Sequence, residues 1–213
     1  MKPFNRIKLS MAILLSVLLL QCGAKNVGKD YSLDDSQAKG LVVVSLTKSG
    51  ALGYNLDAHF RDVNNQRRFH LAVAPSFGLD WKGPTVDEAK KYRLIPEDNP
   101  RGRLAVVELP EGEYVFYKWK GKLGSTAFWT KKDFDKRFQV IAGKAVYIGN
   151  IHAHFERTDT SVLSIFKFPY ELRTEITDEC DRDLKVIHQK CPKITPDQVV
   201  VEVIDTEAWI NQW

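Results

Sequence analysis

Two stretches, Val106 to Gly121 (VVELPEGEYVFYKWKG) and Phe138 to Phe155 (FQVIAGKAVYIGNIHAHF), decide the fold. Each is rich in β-branched and aromatic residues and broken by turn chemistry, at Leu109-Pro110-Glu111-Gly112 in the first and Ala142-Gly143 in the second. They read as two successive hairpins, the raw material of an antiparallel β-sandwich. With a two-residue loop at Ala142-Gly143, Val140 pairs with Ala145 and Phe138 with Tyr147. Carried forward, that register puts Phe138, Val140, Ala145, Tyr147, Ile151, Ala153 and Phe155 on one face. The opposite face holds Val146 and Ile148, then turns polar at Asn150, His152 and His154.

Outward from this centre the pattern is also β. Leu41 to Leu46 (LVVVSL) is a continuous apolar run suited to a strand buried on both faces. Tyr54, Leu56, Ala58 and Phe60 alternate with polar residues, and Phe69, Leu71 and Val73 return after a turn at Val63-Asn64-Asn65-Gln66. Residues 75–103 carry four of the nine prolines and no strand pattern, so a long loop is expected there. Val162 to Phe168 and Val199 to Ile204 predict further strands. An amphipathic helix is expected near 177–190, ended by Pro192, and a helical turn over Thr206 to Trp213. The fold class is therefore mainly β: an antiparallel sandwich of about eight or nine strands with one C-terminal helix.

The N-terminus follows a different rule. Lys2, Arg6 and Lys8 precede an apolar run from Met11 to Leu20, the arrangement of an export signal. Ten residues span only about 15 Å as a helix, half of a hydrocarbon core. Then comes Leu19-Leu20-Gln21-Cys22-Gly23, which resembles the lipobox of bacterial lipoproteins, with Gln21 where that family has Gly, Ala or Ser. The resemblance implies cleavage before Cys22, a diacylglyceryl group on its thiol and an acylated amine. Gly23 is not the Asp that retains members of that family at the inner membrane, so the expected location is the outer membrane. The organisation expected is a signal peptide over 1–21, a flexible polar tether over 22–40 and one sandwich domain over 41–213.

The formal charge of +4 is largely the signal's. Without residues 1–21, 28 Lys and Arg face 27 Asp and Glu, which argues against a nucleic-acid partner. In the Pro-Gly corner leading to Tyr114, and in the Ala142-Gly143-Lys144 turn, the chain resembles the prealbumin-like sandwiches of exported bacterial proteins. That resemblance implies the fold and no activity. Tyr114 fits a corner whose hydroxyl ties back to upstream backbone.

Few residues carry chemistry. His152 and His154 are spaced to point the same way from a strand, so two imidazoles could share a zinc ion, and the sequence singles out no third ligand among His59, His70 and Glu156. Cys180 and Cys191 are an even pair in an oxidising compartment, but one helix between them separates their Cα atoms by about 16 Å, beyond the reach of a disulfide. Trp81, in the proline-rich loop, and Trp119 and Trp129, among Lys118, Lys120, Lys122, Lys131 and Lys132, are candidate binding residues. No cofactor is implied. The function expected is a membrane-anchored envelope lipoprotein, a non-enzymatic binding or structural module for a partner protein or glycan. The alternative is an exported metal-assisted hydrolase built on His152 and His154.

Overall fold

The computed structural model describes residues 26–50, 55–72, 101–123, 126–157, 170–204 and 209–211. They form a mainly β, sandwich-like fold of two sheets with one α-helix. Among the described residues there are eleven strands: β1 (Lys39–Gly50), β2 (Asn55–Asp62), β3 (Arg68–Ala72), β4 (Arg101–Pro110), β5 (Gly112–Leu123), β6 (Thr126–Trp129), β7 (Lys136–Val140), β8 (Ala145–Arg157), β9 (Tyr170–Thr177), β10 (Val199–Val201) and β11 (Trp209–Asn211). The helix, α1, spans Cys180–Lys190 between β9 and β10. The first sheet runs β11-β9-β8-β1-β4, with β10 also on β8. The second runs β3-β2-β5-β6, with β7 also on β5.

β1 is central because its sequence allows it to be. Val42, Val44 and Leu46 enter the core between the sheets, while Leu41 and Val43 point the other way into a second core under α1. A strand apolar on both faces has no solvent side, and here it pairs antiparallel with β4 and parallel with β8. The β2–β3 hairpin forms where expected. Asp62 Oδ1 accepts the amides of Asn64 (2.8 Å) and Asn65 (3.1 Å), which turns the chain without help from distant residues.

Both central turns differ from expectation. β4 and β5 lie in different sheets, and so do β7 and β8, so each turn carries the chain across the sandwich and closes no hairpin. Val140 registers with Gly112 and Phe138 with Tyr114, while Ala145 pairs with Leu41 and Val199. Turn chemistry is the same for a hairpin and for a crossing; the apolar faces decide, because strands flanking a crossing bury against each other across the core. At the first crossing Gly112 has φ +151°, and the Tyr114 hydroxyl donates to the Pro110 carbonyl at 3.0 Å, the corner tie expected of it.

The face assignment of β8 also needs correction, and the cause is a bulge. Val43 pairs with Tyr147, but Ser45 pairs with Asn150, so Ile148 and Gly149 oppose Val44 alone. Gly149 adopts φ +104°, open to glycine and costly for other residues. Val146 and Ile148 therefore share the inter-sheet core with Ile151, Ala153, Phe138 and Val140, whereas Ala145 and Tyr147 face α1.

Other boundaries shift as well. The long loop expected over 75–103 gives up Arg101, Gly102 and Arg103 to β4, and residues 73–100 lie outside the described residues, as does the strand expected over 162–168. Trp209–Asn211 is a strand on β9 and not a helical turn, because the edge of β9 offers backbone partners. The helix begins at Cys180, with the Asp178 carboxylate accepting the Cys180 amide at 2.9 Å.

The segment expected to be a free tether is docked from Asn26 onward. Asn26 Oδ1 accepts the Val106 amide (2.8 Å), the Val27 amide donates to the Val106 carbonyl (2.9 Å), and Tyr31 donates to Glu108 Oε2 (2.6 Å). Val27, Tyr31 and Leu33 pack against the core under α1. This strap supplies partners to β4, the last strand of its sheet, whose outer backbone groups would otherwise be open.

A Cβ on Gly149 would lie 2.9 Å from Ile176 Cγ2 and 3.1 Å from Val203 Cγ1, at a φ that L-residues avoid. Gly149→Ala is predicted to destabilise the protein by about 2 to 4 kcal/mol. Urea unfolding checks this: the midpoint falls, and an unchanged midpoint would mean that no bulge is required there.

Candidate functional site

The bulge at Gly149 turns Asn150 and His152 toward the same side as Tyr147, where they meet β1 and α1. Ser45, Thr47, Asn150 and Asp183 are all buried there, Asp183 to 1% exposure. Asp183 Oδ2 accepts from Ser45 Oγ (2.6 Å), the Tyr147 hydroxyl (3.0 Å) and Arg182 Nη2 (3.2 Å), and Oδ1 accepts from Arg182 Nε (2.9 Å). Tyr147 in turn accepts the Glu179 amide at 3.1 Å. Asn150 Oδ1 lies 3.0 Å from both Ser45 Oγ and Thr47 Oγ1, and its amide donates to Thr177 Oγ1 at 3.1 Å. Thr47 Oγ1 is also 2.8 Å from His152 Nδ1.

This constellation holds the residue types of a hydrolase but not their wiring. The Ser45 hydroxyl is directed at a carboxylate already saturated by an arginine and a tyrosine, and the imidazole reaches Thr47 and not Ser45. Burial, then the neighbouring Asp183 charge, pushes the Tyr147 hydroxyl far above its ordinary range, so it stays a donor. Burial lowers the pKa of His152, with Glu175 opposing and His154 adding to the shift. The network is a closed lock that pins α1 to β1 and β8.

Among the described residues no three His, Cys, Asp or Glu side chains converge to hold a metal ion. His152 and His154 share a side of β8, but His59 and His70 belong to the other sheet, stacked on each other at 5.3 Å. Trp119 is not a surface residue. It is fully buried, edge-on to Phe116, and its indole N–H donates to Thr174 Oγ1 (2.9 Å) on the opposite sheet. Trp129 is 56% exposed. Cys180 and Cys191 are free thiols at the two ends of α1, and burial raises the pKa of each. Cys22 and Trp81 lie outside the described residues.

The other polar constellation is open. Pairing across the second sheet aligns outward residues in rows: Asp57, Lys120 and Trp129; His70, His59 and Lys118; Arg68, Arg61, Val115 and Arg137. The Arg61 guanidinium lies 5.1 Å from the Tyr117 ring centroid. Lys118 pairs with Asp133 (2.7 Å), and Arg137 with Asp135 (2.8 Å) and Glu113 (3.2 Å). Arg68, Lys120 and Lys122 are exposed and make no ion pair among the described residues. The field of these groups is visible in His59, whose pKa falls from its ordinary 6.5 to about 4, first through burial and then through Lys120, His70, Lys118 and Arg68. Period-two placement of Lys118, Lys120 and Lys122 made the outward lysines readable in sequence. The rows were not, because they depend on how three strands register.

No protein-family model matches the chain, and no curated protein matches it. Among solved structures the chain is similar to a leucine-rich repeat protein from Bacteroides thetaiotaomicron, at 17% identity and a TM-score of 0.30. The match covers 54% of this chain and 14% of that one, and so weak a likeness bears on neither fold nor function.

His59 gives a pH prediction. The unfolded chain takes up its proton near pH 6.5 and the folded chain only near pH 4, so the unfolded state binds more protons between these values. Its contribution is fully present above pH 6.5 and lost as pH falls toward 4. Discounted for the solvent that reaches the half-buried ring, it amounts to about 1 to 2 kcal/mol. Unfolding free energy measured from pH 7 to 4 should fall less steeply in His59→Gln; an identical slope would remove His59 as a source.

Proposed function

We propose that the chain is an envelope lipoprotein, acylated at Cys22, whose sandwich is a non-enzymatic binding module for an envelope protein or glycan. The observation that carries this reading is Cys22 itself, one residue beyond an apolar run of ten residues that follows a basic segment. Two or more acyl chains give stable anchoring where one gives marginal binding. Among the described residues no helix is long and apolar enough to cross a membrane, which says nothing of a strand-built span.

Docking of the strap changes what the anchor does. Only Gly23, Ala24 and Lys25 separate Cys22 from Asn26, which is already bonded to β4. Four chain steps reach at most about 14 Å, so the lipid would hold the module close to the bilayer through one edge of the first sheet. The closed wiring around Asp183 favours binding over catalysis. The second reading, a metal-assisted hydrolase at His152 and His154, has two donors on one strand and no observation that favours it.

Metabolic labelling with a palmitate analogue tests the anchor. Wild type should carry the label, and Cys22→Ala should run as a longer, unlabelled chain. Equal labelling of the two would sink the lipoprotein assignment.

A further inference from the structure

Arg61 stands directly opposite Arg68, and His59 directly opposite both His70 and Lys118. Of these, Arg61 and Arg68 set like charges in directly opposed positions, an arrangement that weakens a sheet. Neighbouring strands lie about 4.8 Å apart and alternate residues about 7 Å along a strand, which sets the outward groups on a grid of those dimensions. At its rim Trp129 is in register with Lys120, and the exposed Lys131 and Lys132 continue beyond it. The carboxylates that face the grid are Asp57, half-buried beside Lys120, and Asp133, Asp135 and Glu113, which are held by Lys118 and Arg137. That leaves Arg68, Lys120 and Lys122 as exposed cations with no carboxylate bonded to them among the described residues.

We infer that this face binds a linear acidic polysaccharide, with carboxylates spaced along the chain meeting Arg68, Lys120 and Lys122 and one sugar ring lying on Trp129. A repeating charge suits cations spread over a grid, and the open face of the sheet accepts an extended chain running across its rows. A lipid surface is the poorer fit, because helices and patches that bind one insert several apolar side chains. Among the residues of β2, β3, β5, β6 and β7 whose burial is described, Trp129 is the one large apolar side chain that is exposed. A nucleic acid strand would call for several stacking platforms in succession. The inference rests on reading the sandwich as a binding module and is independent of the lipid anchor.

The test uses the full chain in nonionic detergent on immobilised polygalacturonate, with dextran and phosphatidylglycerol nanodiscs as comparators. Retention on polygalacturonate and not on dextran is expected, weakening as salt rises. Lys120→Glu/Lys122→Glu should bind at least tenfold more weakly, Lys120→Gln/Lys122→Gln several-fold more weakly, and Lys120→Arg/Lys122→Arg nearly as well as wild type, all with wild-type melting. Trp129→Ala should lose several-fold in affinity without changing the salt dependence. Equal retention on dextran, binding to nanodiscs alone, or undiminished binding by the charge-reversed variant would each overturn the inference. Because the Cys22→Ala chain should be retained as well as wild type, failure here and failure of the acyl-anchor reading are told apart.

Discussion

The carboxylate of Asp183 is the interaction on which the rest of the structure depends. A buried charge is costly unless its lone pairs are all occupied, and here four hydrogen bonds from β1, β8 and α1 occupy them. The Gly149 bulge adds Asn150 to this side of β8, where its Oδ1 lies 3.0 Å from both Ser45 Oγ and Thr47 Oγ1. Without the bulge Asn150 would enter the inter-sheet core, where Ile151 and Ala153 now pack. One backbone irregularity thus sets the composition of the core and brings Asn150 against the Ser45 hydroxyl that serves Asp183.

That lock divides the molecule into a covered side and an open side. α1 lies over the outer face of the first sheet, burying Val186 and Ile187 against Leu41, Val43 and Tyr147. The strap from Asn26 closes the β4 edge of the same sheet. The second sheet keeps its outer face for charged and half-buried polar residues, the cations of Arg68, Lys120 and Lys122 among them. Trp119, bonded to Thr174 across the core, ties the two sheets and fixes the outward phase of the neighbouring lysines.

Much of the fold was legible because alternation is a local property. Leu56, Ala58 and Phe60 alternate in the sequence and are all buried, and so are Phe69 and Leu71 opposite them. What failed were readings that need a partner. The turns after Pro110 and Val140 have hairpin chemistry, yet each joins two sheets, since Gly and Pro mark a reversal without saying which strand receives it. The parity of β8 was lost at Gly149, whose signal was a glycine in the middle of a strand pattern. Polar composition made 22–40 look free, although Tyr31 and Asn26 each find a partner on β4.

The lock itself was hidden because Ser45 and Asp183 are 138 residues apart. Its traces were faint: two hydroxyl residues, Ser45 and Thr47, at the end of an apolar run, and an aspartate three and four residues before Val186 and Ile187 on the buried face of a helix. Trp129 and Trp119 show the same limit at the surface, since two tryptophans of similar context end in opposite environments.

Asp183→Asn tests the lock most directly, because it keeps the shape and removes the charge that Arg182, Ser45 and Tyr147 serve. Unfolding free energy from urea titration should drop by about 3 to 5 kcal/mol, with the amides of α1 exchanging with solvent faster than those of β2 and β5. Wild-type stability and unchanged exchange across α1 would contradict the account.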